Sequence, residues 1–131
     1  MPFSRISLFK GKTPEYLRAL SDSLHQALVE CFEVPTTDRF QVIHQLAPQE
    51  LVFDRHYLCG PRSDDFVLIA ITAGRLRNTE IKKAFYGRLV ELLSAAPGIR
   101  REDVMVVITT TSLDEWSFGN GQATLVDDSE T

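Results

Sequence analysis

Laid over itself at an offset of 65 residues, the sequence repeats its own layout. Ile6 then meets Ile71, Thr13 meets Asn78, and Leu20, Leu24 and Leu28 meet Phe85, Leu89 and Leu93. Val34 meets Ile99, Asp38 meets Asp103, and Phe40 and Val42 meet Met105 and Val107. Helix start, apolar stripe, turn and following strand all keep register, which marks a duplicated supersecondary unit. Each half reads as strand, helix, strand. Residues 3–9 are rich in β-formers and end at the turn Lys10-Gly11-Lys12. Thr13 suits an N-cap, Pro14 the first helical position, and Glu15 the positive end of the helix dipole. Leu17, Leu20, Leu24, Ala27, Leu28 and Cys31 recur at helical spacing, Pro35 ends that helix, and residues 40–46 form a second strand. In the second half residues 66–72 read as a strand. Asn78 caps a helix striped by Ile81, Phe85, Leu89, Leu92 and Leu93, Pro97-Gly98 stops it, and residues 104–111 are the fourth long strand.

Two such units predict an α/β (α+β) fold, a four-stranded sheet with both helices on one face, because β-α-β crossovers are right-handed. A length of 131 residues fits one domain. Its repeat halves run from about 2 to 47 and from 66 to 112, with an irregular insertion at 48–62. A hairpin-like extension is expected over 112–125, and an acidic tail that frays over 126–131. Strands 66–73 and 104–108 are apolar at consecutive positions, so both sheet faces are expected to be buried. Two helices cover only one face, and a copy of the chain is expected on the other, in a closed homo-oligomer.

Composition removes several classes of function. The 44% hydrophobic and 24% charged fractions exclude wholesale disorder. A net charge of −4 offers no basic field for a phosphate backbone, so no nucleic-acid partner is expected. The longest apolar run, residues 66–71, is far short of the roughly twenty residues that span a bilayer. The amino-terminal stretch breaks its apolar residues with Ser4 and Arg5, unlike a signal peptide. Cys31 and Cys59 are too few for a disulfide scaffold. The expectation is a soluble, cytoplasmic protein. His25, His44 and His56 show no ligand spacing and read as structural, so no metal site is expected. Phosphate loop, dinucleotide fingerprint and nucleophile elbow are all missing from the sequence.

Chemistry is concentrated in a few residues. Proline at position 2 stands behind the initiator methionine, and its small ring favours trimming of Met1. That would leave a secondary amine, which titrates near neutrality and can act as base, acid or carbonyl nucleophile. The alternative is a plain proline at the start of an edge strand, where no N–H is needed. Arg75 and Arg77 follow a buried strand and, if the chain stays extended, point to the same side as a clamp for a carboxylate. Strand ends are where α/β ligands commonly sit. Lys10 and Lys12 hold the equivalent places in the first half, so the repeat itself favours basic residues there. Asp38, between helix and strand, is either a turn residue, as Asp103 is in the other half, or the group that orients a water or balances the arginines. Trp116 and Phe118 with Leu125 either wall a pocket or pack an oligomer seam.

Together the segments Met1-Pro2, 34–41 (VPTTDRFQ), Arg75-Leu76-Arg77 and 114–121 (DEWSFGNG) resemble the tautomerase superfamily, most closely its malonate semialdehyde decarboxylase branch. The resemblance runs from Pro2 to about Val126. It implies a β-α-β repeat fold, a homotrimer with three active sites, and no cofactor. By position Pro2 matches the catalytic amino-terminal proline, Asp38 the catalytic aspartate, and Arg75 and Arg77 the arginines that hold the substrate carboxylate. Trp116, Phe118 and Leu125 match the apolar wall. Leu125 departs from the expected aromatic, and Leu76 replaces a proline between the arginines, which puts the substrate rather than the machinery in question. The implied activity is decarboxylation or hydration of a small 3-oxo acid. The alternatives are keto–enol tautomerisation of a 2-oxo acid and a non-catalytic trimeric binding protein whose proline is structural.

Overall fold

The computed structural model describes residues 1–127. Its order is β1 (Pro2–Phe9), α1 (Pro14–Cys31), β2 (Gln41–Leu46), β3 (Val67–Ala73), α2 (Thr79–Ala95), β4 (Val104–Thr110) and a single-turn α3 (Thr124–Asp127). Short 3-10 turns at Arg101–Asp103 and Leu113–Glu115 flank β4. The strands form one sheet in the order β2-β1-β3-β4. The two inner strands are antiparallel, and each edge strand runs parallel to the inner strand of its own half. This is the expected pair of β-α-β units.

The repeat holds in atomic detail. Thr13 accepts from the Tyr16 N–H at 3.1 Å, and its counterpart Asn78 accepts from the Ile81 N–H at 2.9 Å. The two helices leave alike as well, with Val34 N–H returning to Leu28 O and Ile99 N–H to Leu93 O. One sheet face carries Ile6 and Leu8 of β1 against Val67, Ile69 and Ile71 of β3, none more than 1% exposed. Leu20, Leu24 and Leu28 of α1, and Phe85, Leu89 and Leu93 of α2, cover that face and are equally buried. Alternation explains the other face: Arg5, Ser7, Leu68, Ala70, Met105 and Val107 point away from the helices. The expectation of two buried faces holds for the helix side alone, since Val42, Met105 and Val107 are 40–48% exposed in the single chain.

Two expectations are corrected. Pro2 opens an inner strand rather than an edge strand, with Ala73 as its register partner. The region after β4 contains no hairpin among the described residues. Ser112 and Glu115 exchange a capping box that winds a 3-10 turn, and positive φ at Gly119, Asn120 and Gly121 turns the chain before α3. Of the tail expected over 126–131, Val126 and Asp127 close α3, and residues 128–131 lie outside the described residues. The insertion is irregular as expected, and Phe53 anchors it by stacking on Phe66 at 4.1 Å.

Asp103, the repeat partner of Asp38, is fully buried and structural. Its carboxylate accepts from Ser63 N–H and Ser63 Oγ, both at 2.6 Å, and from Arg100 Nε at 3.4 Å. Burial pushes this carboxyl up, but the bonds from Ser63 and Arg100 outweigh it and hold it below the usual carboxylate range. A group lowered in the folded state stabilises above its unfolded pKa, and that gain fades as pH falls. Asp103→Asn is therefore expected to cost about 2 kcal/mol near neutrality. Denaturant melts of both chains should converge as the buffer is acidified, and a gap that widens would refute the account.

Candidate active site

Sheet register decides what meets at one end of the molecule. Pro2 opens β1 opposite Ala73, the last residue of β3, and Ala73 in turn faces Thr110 at the end of β4. β2 runs parallel to β1 and begins at Gln41 opposite Ser4, so residues 38–40 enter from the same end. Phe40 O fixes that approach by accepting from Ser4 N–H at 3.0 Å. The strand ends thus bring together Pro2, Asp38, the Gly74–Arg77 segment and the chain leaving β4.

At this end the Met1 ammonium lies 2.5 Å from Asp38 Oδ2, with Asp38 only 15% exposed. The Met1 carbonyl accepts from Gly74 N–H at 3.2 Å, continuing the β1–β3 ladder by one residue. Gly74 sits at a close approach. A β-carbon there would lie 3.3 Å from both Trp116 Nε1 and the Met1 side chain, tighter than ordinary contact. Trp116 Nε1 donates to Thr111 Oγ1 at 2.6 Å, and Thr111 donates to Ala73 O. Trp116 stacks on Phe118 at 5.6 Å, and Phe118 meets Phe40 at 5.8 Å. Leu125 is half-buried on α3, which Phe118 anchors by donating its N–H to Thr124 Oγ1 at 3.0 Å.

The arginines do not form the symmetric clamp that an extended chain implies. The chain bends at Gly74 and Arg75 before α2. Arg77 is 4% exposed and turned inward, donating from Nε to Phe32 O at 3.1 Å and from Nη1 to Arg75 O at 3.0 Å. Its guanidinium lies 4.3 Å above the Phe32 ring. Burial, and next the charge of Arg75, lower its pKa, while Glu33 and Asp38 act the other way. It stays a cation at neutral pH, since an arginine starts far above it. Arg75 is half-exposed and gives Nη2 to Glu33 Oε1 at 3.0 Å. Amine, carboxylate, two guanidinium groups and an aromatic wall therefore border one end of the sheet.

Sequence reasoning passed over Phe40 and Glu33 here, and it read His25 as structural without showing what it holds. Phe40 belongs to the aromatic wall, although it was visible only as a strand residue. Glu33 reaches Arg75 across the fold. His25, buried on α1, donates from Nε2 to Thr36 O at 2.9 Å and so pins the turn that carries Asp38. A lone histidine beside an apolar stripe gives no sign of that bond in the sequence. Lys12, the counterpart of Arg77, pairs with Asp65 at the opposite end of the strands. Two concavities of about 520 and 580 Å³ also lie there, around Phe9, Phe53 and Phe66, so cavity size does not point to the charged cluster. Among the described residues no three His, Cys, Asp or Glu side chains gather as a metal-ligand set. No helix among them is long and apolar enough to cross a membrane.

Known proteins carry the same layout. Two family models, each described as tautomerase enzyme, match residues 38–119 and 2–58. The probable tautomerase YusQ of Bacillus subtilis (strain 168) is 37% identical over 97% of this chain and 100% of its own. The probable tautomerase YrdN of the same strain is 33% identical over 94% of this chain and 95% of its own. Among solved structures, a malonate semialdehyde decarboxylase described as having decarboxylase and hydratase activities superimposes with TM-score 0.89. It is 34% identical, over 97% of this chain and 98% of that one. A fused 4-OT symmetric trimer, 20% identical over 95% of this chain and 98% of that one, shares the fold at TM-score 0.76. On the extent of these matches, the chain belongs to the tautomerase family.

Proposed function

We propose that this chain is a cofactor-independent enzyme that uses the amine of Pro2, bared by loss of Met1, on a small oxo-carboxylate. The preferred reaction is decarboxylation or hydration of a 3-oxo acid such as malonate semialdehyde. The observation that carries the reading is the ammonium–Asp38 pair at 2.5 Å, set at the strand ends where Arg75 and Arg77 also lie. Removing Met1 moves the terminal amine by one residue, about 3.8 Å along the chain, to the nitrogen of Pro2.

The chemistry follows from these groups. Arg75 holds the substrate carboxylate, and Arg77 adds positive charge from beneath. When the bond to the carboxylate carbon breaks, its electron pair moves toward the 3-carbonyl. A protonated Pro2 donates a hydrogen bond to that oxygen, or a neutral Pro2 condenses with the carbonyl to an iminium that accepts the pair. Carbon dioxide leaves beside Trp116 and Phe118, where loss of charge is favoured. Asp38 orients the amine, or a water when hydration is the outcome.

The second reading is keto–enol tautomerisation of a 2-oxo acid, favoured by the names of the curated relatives. It needs a neutral Pro2 that removes a proton beside a carbonyl and returns it one position along. We also propose a homotrimer, because Val42, Met105 and Val107 leave an apolar sheet face exposed in the single chain. The intact mass of untagged protein is expected to lack methionine. Protein of that mass should turn over malonate semialdehyde faster than phenylenolpyruvate. The reverse order would favour the tautomerase reading. A retained Met1 with no carbonyl chemistry under borohydride would leave a binding protein.

A further inference from the structure

Glu33 stands where local physics disfavours it. Its φ is +57°, in the left-handed region, and it follows the last turn of α1 at the point where Val34 N–H returns to Leu28 O. The same exit in the second half, where Ile99 N–H returns to Leu93 O, places Gly98 at the corresponding position with φ +102°. Glycine is the residue that such a helix exit favours, since it has no β-carbon to strain. A carboxylate at a helix carboxyl end is also opposed by the helix dipole. The first half therefore carries a residue that is wrong for the turn on two counts. Among the described residues its one polar partner is Arg75, at 3.0 Å.

We infer that Glu33 is a specificity-determining residue, an internal carboxylate set on Arg75 that restricts the site to ligands with a single carboxylate. This rests on the reading that Arg75 holds the substrate carboxylate. Glu33 engages Nη2 alone, which leaves the rest of the guanidinium fork for one incoming carboxylate. Charge sets the limit on a second. Arg75 and Arg77 are balanced by Asp38 and Glu33, so a protonated Pro2 leaves one positive charge to be met. A monocarboxylate meets it. The second carboxylate of a dianion would enter against Glu33, and like charges so placed repel.

The test uses protein that has lost Met1 and two unreactive probes, butanoate and succinate, with dissociation constants read by calorimetry or as competitive inhibition. Glu33→Gln keeps size and removes charge, and it is expected to tighten succinate about fivefold relative to butanoate. Glu33→Gly, the residue of the sister position, should shift the ratio the same way while melting no lower than the parent. That combination separates charge from folding, because a purely structural role would not move the ratio. An unchanged ratio in both variants would overturn the inference even if Arg75→Ala weakened both probes, and the reading of Arg75 would then stand. If Arg75→Ala weakened neither probe, both would fall.

Discussion

Pro2→Ala is expected to lower kcat/KM by about a thousandfold, within the span that one positioned acid–base group contributes. The change is small in volume and sits at the first position of β1, where the proline nitrogen gives no N–H to the ladder. Alanine also allows Met1 to be trimmed, so the variant still ends in an amine that titrates near neutrality. What it loses is the ring that fixes the nitrogen, and with it the secondary amine that condenses to an iminium. Intact mass and a thermal melt close to the parent would establish that processing and folding survive. Turnover near the parent level in such a preparation would rule out the proline mechanism and shift the chemistry to Asp38 and the arginines. Borohydride adds an independent check, since an iminium at Pro2 becomes a stable amine whose mass includes the substrate carbons.

The repeat was the legible part of the fold because each half carries its own punctuation. Thr13 and Asn78 at the caps, the two leucine-rich stripes and the two proline turns dictate the elements without help from the rest of the chain. Crossover handedness then puts both helices on one face, but no local signal says that β1 and β3 pair at the centre of the sheet, and so the sequence reads Pro2 at an edge. The region after β4 has no such periodicity. It reads as a hairpin-like extension in the sequence, but the Ser112–Glu115 box favours a turn of 3-10 helix instead. The candidate site was named as residue types, Pro2, Asp38, Arg75 and Arg77, because the segments that hold them resemble a known family. Their arrangement was not. Residues i and i+2 share a side only while a strand continues, and β3 ends at Ala73. The partners of Glu33 and His25 were out of reach for a different reason: each acts through a contact between segments, Arg75 for one and Thr36 for the other, that no local period encodes.

The bend after β3 separates the two arginines, and removing each should produce a different kind of failure. Arg77→Ala withdraws donors from Phe32 O and Arg75 O and empties the space over the Phe32 ring. An unpaired buried carbonyl at Phe32, a part-buried one at Arg75 and lost packing together cost about 3 kcal/mol, a large part of the stability of a small domain. Arg77→Lys should recover little, since an ammonium cannot reach both carbonyls with a planar fork while lying on an aromatic face. The same bond holds Arg75 by its carbonyl, so Arg77→Ala should also weaken substrate binding. Arg75→Ala removes a half-exposed side chain whose one partner among the described residues, Glu33, is itself half-exposed, and the melt should shift by no more than a degree or two. Its cost falls on binding. Losing a charge-assisted contact to a carboxylate should raise KM by about 10- to 100-fold with kcat less affected. Melts and steady-state kinetics on the two variants side by side decide the matter. If Arg77→Ala melts like the parent, or if Arg75→Ala unfolds while its surviving fraction keeps the parent KM, the division between a buried brace and an exposed carboxylate holder is wrong.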